Sequence, residues 1–338
     1  MSKRAALANV LLRSGLSSLL GHVESRRRSS LLIYAYHRIL DLPASYHYDQ
    51  ELISASVSSF DAQVRWIAKN RTPLTFHDLL RLEKRGEPLP ERPCIVTFDD
   101  GFFDNYRNAF RVLKKHSVPA TFFVSTDYIG SEQTYWFDWL AHRVLDPSAD
   151  RLQSDALNAD LGLPQGLSAR RQMVYEVLKQ AKALSGERQL ALIDELLTHQ
   201  RENPDPEGAL WSMPMDWDMV RSMSQGGMEI GSHGVNHYML AKLDEQQLSV
   251  ELDGSKRKIE SEIDAPVVSI AYPVGGSDAC DTRVFEGARA SGYQYGCDYV
   301  NGMNYWPSEH RYSLARKQVE LHVTFPEFVC AANLPWLY

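Results

Sequence analysis

Residues 95–105 read IVTFDDGFFDN. Ile95, Val96, Thr97 and Phe98 form a short apolar run that reads as a buried strand, and the run ends on two adjacent carboxylates, Asp99 and Asp100, followed by Gly101. Beyond it Phe103, Tyr106, Phe110 and Leu113 recur at helical spacing and share one helix face. A strand, a polar mouth and a helix in that order make one unit of an α/β protein. The paired acids are an expensive arrangement, because each raises the other's pKa and burial pushes both the same way. One explanation is ordinary: an Asp before Gly caps a helix that starts near Phe102. The other is chemical, with Gly101 permitting a sharp turn that brings both acids to one strand mouth.

The same rhythm runs outward in both directions. Apolar runs at 31–36, 94–98, 120–125, 228–232, 267–272, 293–299 and 313–321 read as strands. Helical patterns lie between most of them. Phe60, Val64 and Ile67 share a face, and 244–263 opens with Asp244 and Gln247 in capping-box spacing before Leu248, Leu252 and Ile259. Thr324 and Glu327 open a last helix in the same way. Seven strands alternating with helices predict a mainly parallel sheet, either a barrel or a doubly wound sheet, with ligands at the carboxyl ends of the strands. The interval 131–215 breaks this alternation with three helical patterns, and it reads as a helical insertion within one domain spanning 30–338.

Composition narrows the function classes. Of 338 residues, 44% are apolar and 23% charged, which is ordinary globular usage and argues against disorder. A net charge of −7 speaks against a general nucleic-acid binder. Cys94, Cys280, Cys297 and Cys330 contain no CxxC pair, so neither a disulfide framework nor a zinc ribbon is expected. Residues 1–29 read as a basic helical segment, carrying Lys3, Arg4, Arg13 and Arg26–Arg28 against Glu24. No run of eighteen apolar residues exists, so no transmembrane span is expected. Arg13 and Ser14 interrupt the apolar stretch and no small-residue cleavage site follows, so no signal peptide is expected and a cytoplasmic location is. A solvated helix and a peripheral contact with an anionic membrane are the two roles open to the basic segment.

A second cluster bears on the acids. EIGSHGVNH (229–237) places His233 and His237 four apart, directly after another apolar strand. Two imidazoles at i and i+4 can face one point, and neutral His with carboxylate oxygen is a zinc donor set. One Asp and two His make three protein ligands and leave a position open, the pattern of a catalytic zinc. The divalent charge would stabilise both anions, and the second Asp would be free to take a proton from metal-bound water. A structural His pair is the competing reading.

TFDDGF (97–102) and SHGVNH (232–237), with VPATFFVS (118–125) and SIAYPVGG (269–276), resemble the motifs of polysaccharide deacetylases, the NodB-homology or carbohydrate esterase 4 family. The resemblance covers about 30–330 without the insertion. It implies a distorted (β/α)7-type barrel with a divalent metal, most simply Zn2+, and hydrolysis of N-acetyl groups on amino sugars of a cell-envelope polysaccharide, oligosaccharide or glycolipid precursor. Carried over by position, Asp99 matches the catalytic base and Asp100, His233 and His237 match the metal ligands. The backbone N–H of Val274 matches the oxyanion donor, and Tyr272 and Pro273 fall against substrate. LIYAYHRI (32–39) is similar to the segment that opens biofilm-polysaccharide deacetylases and places His37 at the substrate site.

Two departures stand out. Ala271 occupies the place of an arginine that orients the catalytic Asp in many members, and Arg316 is the candidate to supply that charge from another strand. The late LxxHD motif of the general acid is incomplete, with His322 its nearest candidate and no Asp after it. Among Trp136, Trp139, Trp211, Trp217 and Trp306, one or two are expected to stack on sugar. An amidase or deformylase using the same site on another acylamide, and a sugar-binding protein without catalysis, are the alternatives.

Overall fold

The computed structural model describes residues 3–17, 29–43, 46–203 and 212–334. In chain order the strands are β1 (Ser30–Tyr36), β2 (Arg38–Ile39), β3 (Ile53–Ala55), β4 (Thr72–Leu74), β5 (Pro93–Phe98), β6 (Thr121–Val124), β7 (Arg151–Ser154), β8 (Ala159–Gly162), β9 (Glu229–Ser232), β10 (Ser269–Ala271), β11 (Tyr295–Cys297), β12 (Asn304–Tyr305) and β13 (Lys317–Gln318). One curled sheet runs β1-β5-β6-β9-β10-β11, every neighbour parallel. β5, β6 and β9 are buried along their whole length. Strands covered on both faces need continuous apolar runs, and this is why they stand out in the sequence.

The two edges of the sheet meet through residues 314–318. Leu314 bridges Cys297 of β11, and β13 pairs with Tyr34 and Ala35 of β1. The chain is therefore a distorted (β/α)7-type barrel, closed by a short seam. The sequence suggests one long strand over 313–321. The structure shows an isolated bridge and a two-residue ladder, because the segment crosses from one edge to the other and cannot stay on a single ladder.

Helices cover the outside. α1 (Lys3–Arg13) packs its buried Ala5 and Ala8 against the far end of the chain, where Cys330 Sγ lies 3.5 Å from the Ala8 carbonyl. α2 (Val57–Asn70) buries Phe60, Val64 and Ile67, and α3 (Phe76–Arg85) starts on a Thr75–Asp78 capping box and ends on Gly86 in the left-handed region. A wide turn over Asn105–Phe110 leads into α4 (Arg111–His116). The insertion supplies α5 (Trp136–Leu145), α6 (Leu167–Ala183) and α7 (Gly186–Glu202), with the β7–β8 hairpin between the first two. That hairpin is absent from the sequence reading, since β7 buries only Leu152 and Ser154 and β8 buries nothing. The insertion has its own apolar core, including Trp136, Leu140, Val177, Leu178, Leu192 and Leu196. α8 (Trp217–Gln225), α9 (Glu245–Ser249), α10 (Ser255–Ile263), α11 (Thr282–Ala290) and α12 (Phe325–Asn333) follow among the described residues. The Asp244–Gln247 and Thr324–Glu327 capping boxes are both formed.

Among the described residues no helix is long and apolar enough to cross a membrane. Most of the basic segment beyond Arg13, including Glu24 and Arg26–Arg28, lies outside the described residues, as does Trp211.

Candidate active site

The carboxyl ends of β5, β9 and β10 converge on one mouth. Asp99 makes the last ladder bond of β5, its N–H donating to the Tyr36 carbonyl at 3.0 Å. Neighbouring side chains on a strand point apart, yet both acids line the same cavity of about 230 Å3. The turn begins one residue earlier than the glycine: Asp100 itself has φ 72°, and Gly101 follows at φ 93°. A Cβ on Gly101 would stand 2.9 Å from Ile129 Cδ1, so this position needs glycine for space as well as for conformation. Seven non-glycine residues of the described chain have positive φ, and three of them, Asp100, His237 and Val274 at 69°, border this cavity. For branched Val274 the conformation is a true outlier, and strain of this kind gathers at functional sites.

Asp100, His233 and His237 bring one ligand atom each to within 4.8 Å of one another. His233 Nε2 is 3.4 Å and His237 Nε2 3.2 Å from Asp100 Oδ1. The two imidazoles do not share a helix face. His233 directly follows β9, and a non-helical loop folds His237 back beside it, ring centroids 5.0 Å apart. His233 Nδ1 lies 2.7 Å from the Ala271 carbonyl, which can only accept, so the proton sits on Nδ1 and a neutral ring turns its Nε2 lone pair toward a carboxylate. Lone pair against carboxylate needs a positive charge between them. Asp100 Oδ2 and His237 Nδ1 are buried and have no hydrogen-bond partner. Burial pushes the His233 pKa down, but the Asp100 and Asp99 carboxylates and the Ala271 carbonyl outweigh it and hold the imidazole above its ordinary value. The donor set, its burial and the orphaned oxygen all fit a divalent cation.

Asp99 sits beside this trio on a fork. Arg316 Nη1 donates to Oδ1 at 2.7 Å and Nη2 to Oδ2 at 2.8 Å, and the arginine is wholly buried. Burial alone would raise the Asp99 carboxyl, but the guanidinium outweighs it and, with His233 and His37, holds the pKa below the ordinary value. Arg316 comes from the seam, midway between its two attachments, where the side chain points into the barrel. His37 also reaches the site, with Nε2 4.0 Å from Asp99 Oδ2.

Other sequence-derived positions divide. The Val274 N–H meets no acceptor among the described residues and borders the cavity. Tyr272 lines the cavity but turns its hydroxyl away, to the Tyr312 carbonyl at 2.8 Å. Pro273 does not reach the cavity; it is buried near Gly234, behind the histidine loop. His322 is not brought to the site either. The chain turns outward after Val319, leaving His322 exposed and 3.3 Å from Glu320 Oε2, while Glu320 takes the position facing the cavity. No described tryptophan lines this cavity: Trp136 and Trp139 are buried in the insertion, and Trp217 and Trp306 pack against the barrel cores. The aromatic surface comes instead from Phe137, Tyr272 and Tyr299.

Several positioning residues are invisible in the sequence. The Tyr135 hydroxyl donates to the Asp100 carbonyl, Trp136 Nε1 lies 3.4 Å from the His237 carbonyl, and the Phe137 ring stands 4.9 Å from that of His237. Glu251, buried in the turn between α9 and α10, accepts from the N–H groups of Val235 at 2.7 Å and Asn236 at 3.1 Å and from Asn236 Nδ2 at 2.8 Å. It pins the loop that carries His237. Arg38 donates to Asp104 at 2.9 Å, fixing the far end of the 95–105 stretch to the start of the barrel.

The family model described as polysaccharide deacetylase matches residues 86–296, more than half of the chain. The chain belongs to the polysaccharide deacetylase family. Within the family, the poly-beta-1,6-N-acetyl-D-glucosamine N-deacetylase of Staphylococcus aureus is 33% identical over 93 residues, 27% of this chain and 32% of that protein. Its Staphylococcus epidermidis counterpart is 31% identical over 128 residues, 35% of this chain and 44% of that one. The chain thus matches less than half the length of these curated relatives. In fold it is similar to the Streptococcus pyogenes deacetylase PplD in complex with acetate, with TM-score 0.60, 18% identity, and coverage of 91% of this chain and all of that one. It is also similar to IcaB from Ammonifex degensii, with TM-score 0.57, 18% identity, and coverage of 90% and 97%.

Proposed function

We propose that the protein is a metal-dependent N-deacetylase that removes acetyl groups from amino sugars of a cell-envelope glycan or glycolipid precursor. The observation that carries this reading is the unequal division of the two acids: Asp100 joins two histidines in a cation site, while Asp99 is held beside it on an arginine fork. A pure binder has no use for a buried base next to a cation site. Similarity to N-acetylglucosamine polymer deacetylases supports the substrate class.

Asp100, His233 and His237 would hold the metal, most simply zinc. A divalent ion there would supply Lewis acidity and an acidified water. Asp99 is the chain's proton acceptor. Arg316 keeps it ionised and fixes its angle, so the carboxylate meets the attacking water without reorganising. The free N–H of Val274 is placed to donate to the oxyanion that forms as the carbonyl is attacked. The proton gathered by Asp99 is then available to the departing amine, so no separate histidine acid is required.

The test is acid release from N-acetylglucosamine oligomers with added zinc, with metal content read by elemental analysis. Asp99→Asn is expected to keep the metal and lose turnover, and His233→Ala to lose both. Wild-type turnover in Asp99→Asn would overturn the mechanism. Formate released in place of acetate from acyl variants would point to a deformylase, and oligomer binding with no acid released to a sugar-binding protein.

A further inference from the structure

The catalytic cavity is not closed on its outer side. It shares Asp49, Glu51, Leu178, Lys182 and Val274 with a second cavity of about 880 Å3. One wall of that larger cavity is helix α6 of the insertion. Arg171, Tyr175, Lys179 and Lys182 follow one another at spacings of four, four and three, so they form a single stripe. Lys182 stands at the catalytic end, and Arg171 lies ~16 Å further along the helix axis at 1.5 Å per residue. No side chain among the described residues makes a hydrogen bond or ion pair with any of the three cations. Tyr175 is 58% exposed and offers its ring to the same space.

The facing wall is acidic, but differently disposed. The Asp49 carboxylate is engaged as the cap of the 50–52 turn, accepting the Glu51 N–H at 3.0 Å, and Glu51 and Asp278 are exposed at its rim. Three acids and three cations line the cleft, but the cations are gathered in one row on α6, with Lys182 and Arg171 within electrostatic reach of Asp49, in a chain of net charge −7. An Arg fork and two ammonium groups suit carboxylate or phosphate oxygens, and a Tyr face between them suits a sugar ring.

We infer that the α6 stripe is a subsite for an acidic glycan or glycan precursor, binding an anionic substituent outside the catalytic cavity that holds the amide. The inference rests on the deacetylase reading for what occupies the inner cavity. It assigns the insertion a role in substrate choice: α6 selects chains or precursors that carry negative charge.

The experiment uses the zinc-loaded Asp99→Asn protein, titrated calorimetrically at low and high salt with three probes. These are an N-acetylglucosamine hexamer, a hyaluronan hexasaccharide in which N-acetylglucosamine alternates with glucuronate, and uridine diphosphate N-acetylglucosamine. At least one acidic probe is expected to bind tenfold or more tightly than the neutral hexamer at low salt, with the gap shrinking at high salt. Preference for the hexasaccharide places the charge in the polymer; preference for the diphosphate places it in a precursor. Adding Arg171→Ala with Lys179→Ala, or Lys179→Glu alone, is expected to cut the gap to threefold or less. Equal binding of neutral and acidic probes, or a gap that survives both sets of substitutions, overturns the subsite. Acetate release by the wild type from the neutral hexamer alone would leave the deacetylase reading standing while the subsite fell. An intact acidic preference with no acid released by the wild type would do the reverse.

Discussion

Replacing Arg316 separates its two duties. The side chain is fully buried and makes four bonds: two to Asp99 at 2.7 and 2.8 Å, one to Thr97 Oγ1 at 3.3 Å and one to the Asp298 carbonyl at 2.9 Å. Arg316→Ala leaves the Asp99 carboxylate buried without its charge partner, a change that costs about 3–5 kcal/mol, and also empties the seam that joins the barrel edges. Arg316→Lys keeps a positive charge but presents one ammonium where a planar fork stood, so most of the stability survives while the Asp99 carboxylate loses its fixed angle. A misplacement of about 1 Å at a reacting group can cost on the order of 100-fold in rate. The urea midpoint of Arg316→Ala is therefore expected to fall markedly at an unchanged slope. Arg316→Lys is expected to hold its midpoint near wild type and lose turnover of N-acetylglucosamine oligomers by about 10- to 100-fold, in kcat rather than KM. Adding Asp99→Asn to Arg316→Ala removes the uncompensated charge and should restore part of the midpoint. If Arg316→Ala matches wild type in midpoint, or Arg316→Lys in kcat, the fork does not do what its geometry suggests.

Three further outcomes follow from the same structure. Glu251→Gln turns one of the two accepting oxygens into an NH2 donor that faces an N–H group, and removes the charge from the other; zinc affinity, read by chelator competition, should drop about 10- to 100-fold, and unchanged affinity would refute the brace. Val274→Gly trades relief of a left-handed β-branched residue against the backbone entropy of glycine. Stability should stay within about 1 kcal/mol and turnover should persist, since the N–H is kept, whereas a tenfold loss in kcat would assign the role to the side chain. Burial lifts the Asp138 carboxyl to about 7 despite Arg38 and Ser212. A carboxyl raised in the folded state adds stability that is complete below its unfolded pKa and is lost as pH rises through about 7. Asp138→Asn should therefore flatten the fall in Tm between pH 5 and 8, and an identical slope in both proteins would count against the buried, uncharged Asp138.

What the sequence could show depended on the kind of contact involved. Buried parallel strands demand apolar runs, so β1, β5, β6 and β9 are visible at nearly their true positions. The acids and histidines stand out because ionisable side chains are uncommon at the ends of buried apolar strands. Arg316 is only a candidate in the sequence, since its neighbourhood with Asp99 exists across a barrel seam 217 residues away along the chain. His322 misleads for the same reason in reverse: the motif spacing says nothing of the turn after Val319 that exposes it. Tyr135 and Glu251 leave no pattern at all, and Trp136 stands out only as a sugar-stacking candidate, because these residues bind backbone carbonyls and N–H groups that every residue carries.

The entry to the insertion has one more consequence. Tyr135, Trp136 and Phe137 open a unit with its own apolar core, and the same three residues hold the Asp100 carbonyl, the His237 carbonyl and the His237 ring. Local unfolding that frees this unit must release those holds at once. Swinging α6 aside to admit a bulky chain and keeping the cation site in order are thus opposed events, with a shared free energy between them. Metal binding should slow amide hydrogen exchange in α5 and α6, some distance from any ligand. By the same reciprocity, a chain bulky enough to force α6 aside should weaken metal binding.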